Sequence, residues 1–144
     1  MTARRPPAVV VDTMVVSAIV NASRRPQPAA SYRSLIADRL VVVSFATVTE
    51  LRYGAIKAGW SELRRRGLER DLTRFVIVQP DDTLMAVCAD LRARCEATGH
   101  GLGQKVHEAD RWIAATALRL EVALVSGDGV FRNGPGPTVI RSAN

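Results

Sequence analysis

The sequence predicts an α/β/α sandwich of three layers around a central, mainly parallel sheet, and three observations carry that reading. Short, almost wholly apolar runs rich in β-branched residues recur at Ala8–Val11, Leu40–Val43, Phe75–Val78 and Val122–Val125. Such runs suit strands buried on both faces. The segments between them carry apolar residues at helical spacing. Strand and helix alternate along the chain, and parallel neighbours need the crossovers that helices supply. A chain of 144 residues can bury roughly two thirds of its unfolded surface, so one domain, 1–144, is expected.

The first strand, Ala8–Val11, ends at Asp12, and Met14–Val20 follows as a helical segment. Arg24–Pro28 reads as a polar connection before a second helix over Ala29–Asp38, with Pro28 suited to its first turn. After the strand Leu40–Val43, Ser44 or Thr47 can cap a helix with Leu51, Ala55 and Ala58 on one side. Ser61 caps the next, in which Leu68, Leu72 and Phe75 form the apolar side and Arg64, Arg65, Arg66, Arg70 and Arg74 crowd the rest. Phe75–Val78 gives a strand, then Leu84, Val87, Leu91 and Cys95 mark a helix ending near Gly99. A glycine-rich loop, Gly99–Gly103, leads to a helix over His107–Glu121 that packs through Ile113, Ala114, Ala117 and Leu118. Val122–Val125 is the next strand, Ser126–Gly129 a turn, Gly134–Pro137 a loop, and Thr138–Ile140 a last short strand.

Hydrophobic residues make up 47% of the chain and charged residues 24%, the balance of a globular protein rather than a disordered or fibrous one. The formal charge of +6, with arginine far outnumbering lysine, suits a polyanionic partner, although surface arginines also serve solubility. Arg4 and Arg5 before an apolar stretch resemble a secretory signal, but Asp12 interrupts that stretch, and no segment approaches the ~20 apolar residues of a membrane span. A cytoplasmic protein is expected. Cys88 and Cys95 are seven positions apart in a helical pattern, about 10 Å along the axis, too far for a disulfide. Both are expected to be reduced core residues.

Four acids stand at positions that chemistry favours. Asp12 and Asp128 lie just past apolar strands, and open α/β sheets bind ligands at the carboxyl ends of their strands. Glu50 and Asp110 lie near helix starts and can reach the same edge. Each also fits a structural role: Thr47 to Glu50 matches a capping box, Asp12 can cap a helix, and Asp128 between two glycines suits a turn. Together they make a cluster whose mutual repulsion a divalent ion relieves, and hard oxygen donors favour Mg²⁺ or Mn²⁺ over zinc. Such a site has the outline of phosphodiester hydrolysis.

Four segments, AVVVDTMVVSAIV, VSFATVTELRYGA, HEADRWIAATAL and ALVSGDGVF, resemble in this order the active-site blocks of PIN-domain proteins. The resemblance covers nearly the whole chain and is strongest to the VapC toxins of bacterial type II toxin–antitoxin systems. It implies a PIN-like sandwich and an acidic pocket of Asp12, Glu50, Asp110 and Asp128. Asp12 and Asp110 become the direct metal ligands, with Thr13 and Ser126 as supporting polar groups. The sequence departs from the pattern at Met14, where members often carry a small polar residue, and at Val130, where an acid often precedes the phenylalanine.

The resemblance further implies a metal-dependent endoribonuclease, inhibiting translation and leaving a 5′-phosphate and a 3′-hydroxyl, that forms a homodimer and is silenced by a VapB-like antitoxin. An apolar groove between the early helices is the expected antitoxin dock. Arg64, Arg65 and Arg70 are the leading RNA contacts, with Arg52, Lys57 and Lys105 as weaker additions. Trp60, Trp112 and Tyr53 could stack on bases, and His100 and His107 flank the approach to Asp110. The alternative is a non-cleaving RNA-binding or regulatory domain of the same fold, which the presence of all four acids disfavours. A phosphotransfer protein built on a strand-end Asp is a further alternative. Its phosphatase form lacks a second acid at Met14, and its receiver form lacks the adjacent acidic pair.

Overall fold

The computed structural model describes residues 7–142; Arg4 and Arg5 lie outside them. The chain runs β1 (Ala8–Val11), α1 (Thr13–Val20), α2 (Pro26–Ile36), β2 (Leu40–Ser44), α3 (Phe45–Lys57), α4 (Glu62–Leu72), β3 (Val76–Val78) and α5 (Asp82–Thr98). Two short 3-10 turns, Gly101–Gly103 and Lys105–His107, precede α6 (Glu108–Leu120), β4 (Leu124–Val125), a 3-10 turn at Gly129–Phe131 and β5 (Val139–Ile140).

The five strands form one sheet in the order β3-β2-β1-β4-β5, and every neighbouring pair is parallel. From β1 the chain builds outward through β2 and β3, then returns to place β4 on the other side of β1. The strand order therefore reverses between β1 and β4, and the carboxyl ends at such a switch point flank a crevice.

Side-chain alternation along the strands sends residues to two cores. Val10, Val42 and Leu124 pack with Leu84, Leu91 and Cys95 of α5 and Ile113 and Ala114 of α6. Val9, Val11, Val43 and Val125 pack on the other face with Val15 and Val16 of α1, Val48 and Ala55 of α3, and Leu68 and Leu72 of α4. Helices thus cover both faces of the expected sandwich, and Cys88 and Cys95 are buried free thiols.

Several boundaries differ from the sequence reading for local reasons. The helix expected from Ala29 starts at Pro26, because Pro26 and Pro28 both fit a first turn whose N–H groups have no helical partner. It ends at Ile36, and Asp38 takes a left-handed backbone. Ser44, not Thr47, caps α3, accepting from the Ala46 amide at 3.1 Å. Phe75 lies beyond α4 yet packs against the same core. Val122 falls outside β4 because Glu121 closes α6 with a left-handed residue. Among the described residues no helix is long and apolar enough to cross a membrane.

Candidate active site

Strand register builds the centre of the site. Val11 pairs with Val125, so Asp12 and Ser126 leave the sheet side by side, and the Asp12 amide donates to the Val125 carbonyl at 3.3 Å. Asp12 is only 4% exposed. Its Oδ1 caps α1 by accepting from the Val15 amide at 2.9 Å, and its Oδ2 accepts a short hydrogen bond from the Ser126 hydroxyl. The same hydroxyl accepts from the Asp128 amide at 3.0 Å, and Asp128 caps the turn that follows by accepting from Val130 at 3.0 Å. Ser126 thus ties the loop that carries Asp128 to Asp12. The cap and turn roles considered for Asp12 and Asp128 are both real, and they fix each carboxylate at the switch point.

Helix packing brings the other two acids to the same edge. Thr47 is fully buried, and its hydroxyl meets that of Thr13 at 3.0 Å, joining α3 to α1. Because α3 starts at Phe45, Glu50 stands beyond its first turn, and no capping box forms. Asp110 stands in the first turn of α6, where His107 Nδ1 lies 3.0 Å from its Oδ2.

Electrostatics joins the four acids into one group. Burial holds the Asp12 carboxyl above its ordinary range; hydrogen bonds from Ser126 and Val15 oppose this, and the charges of Asp128 and Asp110 add to it. Glu50 is raised mainly by desolvation, against the Thr13 hydroxyl and with the charges of Asp110 and Asp12. Asp110 is raised by burial, with His107 opposing and Asp128 contributing. No arginine or lysine is among the charges acting on these three groups. Burial first, and the neighbouring acids second, oppose ionisation of these carboxyls, and a bound cation would favour their charged forms.

Among the described residues, no three His, Cys, Asp or Glu side chains gather into a ready-made metal cage. Small hard ions do not require one, since Mg²⁺ is typically held by one or two carboxylates while water and phosphate oxygens complete its shell. Asp12 and Asp110 are a pair of carboxylates that could hold a divalent ion in this way, and the site carries no thiol.

The remaining candidate residues scatter. On α4 and its neighbours, Arg66 pairs with Glu62, Arg74 with Asp71, and Arg52 with Glu69 through two hydrogen bonds. Arg65 lies on a groove between α3 and α4, and Arg70 on a depression between α1 and α4. Arg64 turns toward α2 and stacks on Trp60, its guanidinium carbon 3.6 Å from the ring centroid. Trp112 packs edge-on against Phe45 beside the first core, whereas Tyr53 is exposed with Lys57 near its ring. His100 is held away from the acids by the Arg132 carbonyl and the Leu102 amide. Lys105 is exposed in the second of the 3-10 turns.

Sequence reasoning passed over three groups. Tyr32 of α2 stands beside the site, its phenol raised by burial and by the Asp12 charge. Arg24 and Arg25, inside what reads as a connection, line a cleft with Tyr32 and Arg64. Arg111 is 3% exposed and pins the loop before α6, donating to the Leu102 carbonyl at 3.1 Å and to that of Gln104. Helical periodicity places Arg111 next to core positions, and that was its one available signal.

Comparison with known proteins agrees with this architecture. The PIN domain family model matches residues 9–136. No curated protein matches the sequence. Among solved structures, VapBC2 from Rickettsia felis bound to a promoter DNA fragment is similar at a TM-score of 0.75 and 19% identity, over 94% of this chain and 98% of that one. VapBC-5 from Mycobacterium tuberculosis, of the VapBC family of toxin–antitoxin systems, is similar at 0.66 and 26% identity over 95% and 98%. FitAcB from Neisseria gonorrhoeae gives 0.66 and 25% identity over 92% and 96%. The four-acid switch point, the all-parallel sheet and a family match over most of the sequence lead to one conclusion: the chain belongs to the PIN domain family, and its structure is of the kind found in VapBC toxin–antitoxin complexes.

Proposed function

We propose that this protein is a metal-dependent endoribonuclease, a VapC-like toxin that hydrolyses RNA, inhibits translation and is neutralised by a cognate antitoxin. The observation that carries the reading is the meeting of Asp12, Glu50, Asp110 and Asp128 at the sheet's switch point with no arginine or lysine among the charges acting on Asp12, Glu50 and Asp110. Membership of the PIN family supports nuclease chemistry with a divalent ion, and the toxin–antitoxin complexes among the similar structures support a VapB-like partner.

In this reading Asp12 and Asp110 hold Mg²⁺ or Mn²⁺. When bound, such an ion offsets charge developing on the phosphate and makes a nearby water a better nucleophile. Glu50 and Asp128 orient that water and accept its proton as it attacks phosphorus in line with the leaving 3′ oxygen. The P–O3′ bond breaks, the 3′ oxygen takes a proton from solvent, and the products are a 5′-phosphate and a 3′-hydroxyl. Ser126 keeps the Asp12 carboxylate aimed, and Thr13, held by Thr47, fixes the start of α1 beside Glu50.

The antitoxin and a second copy of the chain, in a cytoplasmic homodimer, would cover apolar surface now in solvent. Tyr53, Ile56 and Leu63 expose 61%, 62% and 78% of their surface on α3 and α4. The cleft between α1 and α2, read from sequence as an apolar dock, carries Met14, Ala18, Pro28 and Trp60 together with Arg24, Arg25 and Arg64.

The test is cleavage of total RNA by wild type, Asp12→Asn and Asp110→Asn with Mg²⁺, Mn²⁺ or EDTA. Discrete fragments only with wild type and metal are expected. Intact RNA from antitoxin-free wild type under every condition would refute the assignment, as would full activity of a clean Asp12→Asn preparation.

A further inference from the structure

A cleft of about 400 Å³ opens between α1, α2 and the start of α4. It adjoins the acidic site. Met14, the residue after Thr13, lines it and is 54% exposed. Tyr32 lines it too, and a Cβ placed on Gly127, between Ser126 and Asp128, would sit 3.3 Å from the Tyr32 hydroxyl. Cleft and acids therefore share a wall made of Tyr32 and the start of α1.

The lining sets three arginines among apolar and small polar side chains. Arg24, Arg25 and Arg64 all contribute, and among the described residues none of the three has a carboxylate partner. Of the arginines around them, Arg52, Arg66 and Arg74 are paired, whereas Arg65 and Arg70 have no carboxylate partner among the described residues and lie on other depressions. Arg64 is half-buried over Trp60, where desolvation and the charge of Arg24 both loosen its proton. Three arginines in one concave surface, with Arg24 close enough to act on Arg64 and none of the three paired with a carboxylate among the described residues, suit an anion from outside. A guanidinium lying on an indole also offers a flat face, and nucleic-acid bases stack on arginine planes as well as on aromatic rings. Only a base freed from pairing can reach such a face inside a cleft. The volume falls in the range of roughly 300–1,000 Å³ that takes a group of nucleotide size.

We propose that this cleft holds the unpaired RNA strand leading to the scissile bond, with Arg24 and Arg25 on backbone phosphates and one unstacked base on the Arg64–Trp60 stack. The proposal rests on the nuclease reading of the adjoining acids. It places the substrate track here rather than on the outer face of α4, where Arg65 borders a different groove.

The test measures binding of a fluorescein-labelled single-stranded oligoribonucleotide to the intact protein by anisotropy, in EDTA, between about 50 and about 200 mM salt. Arg24→Gln/Arg25→Gln is expected to weaken binding about tenfold and to flatten the slope of log K against log salt by about 1.4, at roughly 0.7 per phosphate contact on a single strand. Arg92→Gln/Arg94→Gln carries the same change of charge on α5, away from the cleft, and should stay within about twofold, with the slope kept. Arg64→Gln should weaken the single strand and leave the weaker binding of its duplex unchanged. Arg24→Lys/Arg25→Lys, which retains the charge, should recover the slope.

Equal losses in the two glutamine pairs would overturn the proposal, as would a folded cleft pair that binds like wild type, or wild type that does not bind. Equal displacement of the RNA by oligoglutamate would overturn it in favour of an acidic protein segment. Wild type that binds through Arg24 and Arg25 yet never cuts with metal present would remove the nuclease reading alone. Cleavage that is indifferent to both arginines would remove the cleft alone.

Discussion

Replacing Ser126 by alanine takes from Asp12 the hydroxyl that donates to its Oδ2, and from the Asp128 amide its acceptor at 3.0 Å. Both losses fall in the buried centre of the site, where Ser126 is fully enclosed and Asp12 is 4% exposed. A hydrogen bond to a charged group contributes about 1.5–3 kcal/mol. At about 1.4 kcal/mol per tenfold, that corresponds to 10- to 100-fold in cation affinity, roughly the range for groups that orient metal ligands. Ser126 is also the strongest influence lowering the Asp12 pKa, so its removal lifts a carboxyl that burial already holds high. Protonated Asp12 cannot hold a cation, and the acid limb of the cleavage profile must therefore move to higher pH. Ser126→Ala should need about 10–100 times more Mn²⁺ for half-maximal cleavage of a labelled RNA while staying folded at the assay temperature. An unchanged Mn²⁺ midpoint with an unchanged acid limb in the folded variant would refute the placement of Ser126 behind a metal ligand.

Other outcomes follow from the same geometry. Raised carboxyls such as Asp12, Glu50 and Asp110 contribute stability that is present below their ordinary pKa and lost as pH rises through the raised folded value. In EDTA the melting temperature of Asp12→Asn relative to wild type should thus increase from acid to neutral pH; a constant difference would contradict a raised Asp12. Leu91 is wholly buried in the core under α5, and Leu91→Ala should cost about 2–5 kcal/mol in urea unfolding, a loss below 1 kcal/mol indicating a looser core than described. Arg111→Met leaves the Leu102 and Gln104 carbonyls without their guanidinium donor, at about 1–3 kcal/mol for each unmet group. Faster hydrogen exchange at the Gly103 and Gln104 amides should accompany that loss, and unchanged exchange would show that the loop holds itself.

The parts of this protein legible in its sequence are those that local periodicity encodes. A wholly apolar run such as Ala8–Val11 states both that it is a strand and that both its faces are covered, and the alternation of such runs with helices states that the sheet is parallel. A parallel sheet then aligns all carboxyl ends on one edge, so Asp12 and Asp128 could be placed together without any knowledge of side-chain packing. Glu50 and Asp110 needed more. Thr47 and Glu50 have the spacing of a capping box, yet α3 begins two residues before Thr47, and the Thr47 hydroxyl is spent on Thr13 across the helix interface. A residue type that fits a local motif was used for a tertiary contact, and no sequence pattern separates those uses.

The surroundings of the acids are less legible for the same reason. Arg24 and Arg25 sit in a stretch whose prolines read as a connection, Tyr32 is an ordinary half-buried position of α2, and Arg64 is one of several arginines on α4. Nothing local distinguishes Arg64 from Arg65; the 100° turn between them along the helix sends one onto Trp60 and the other toward α3. Counting charge on a helix therefore overstates its binding face, because Arg66 is paired with Glu62 and the others, Arg64, Arg65 and Arg70, are spread over different depressions. What sets Arg24, Arg25 and Arg64 apart is their meeting in one cleft and the wall that this cleft shares with the acids. Both are properties of how α1, α2 and α4 pack, and they tie the proposed RNA track to the same β1–β4 switch point that gathers the carboxylates.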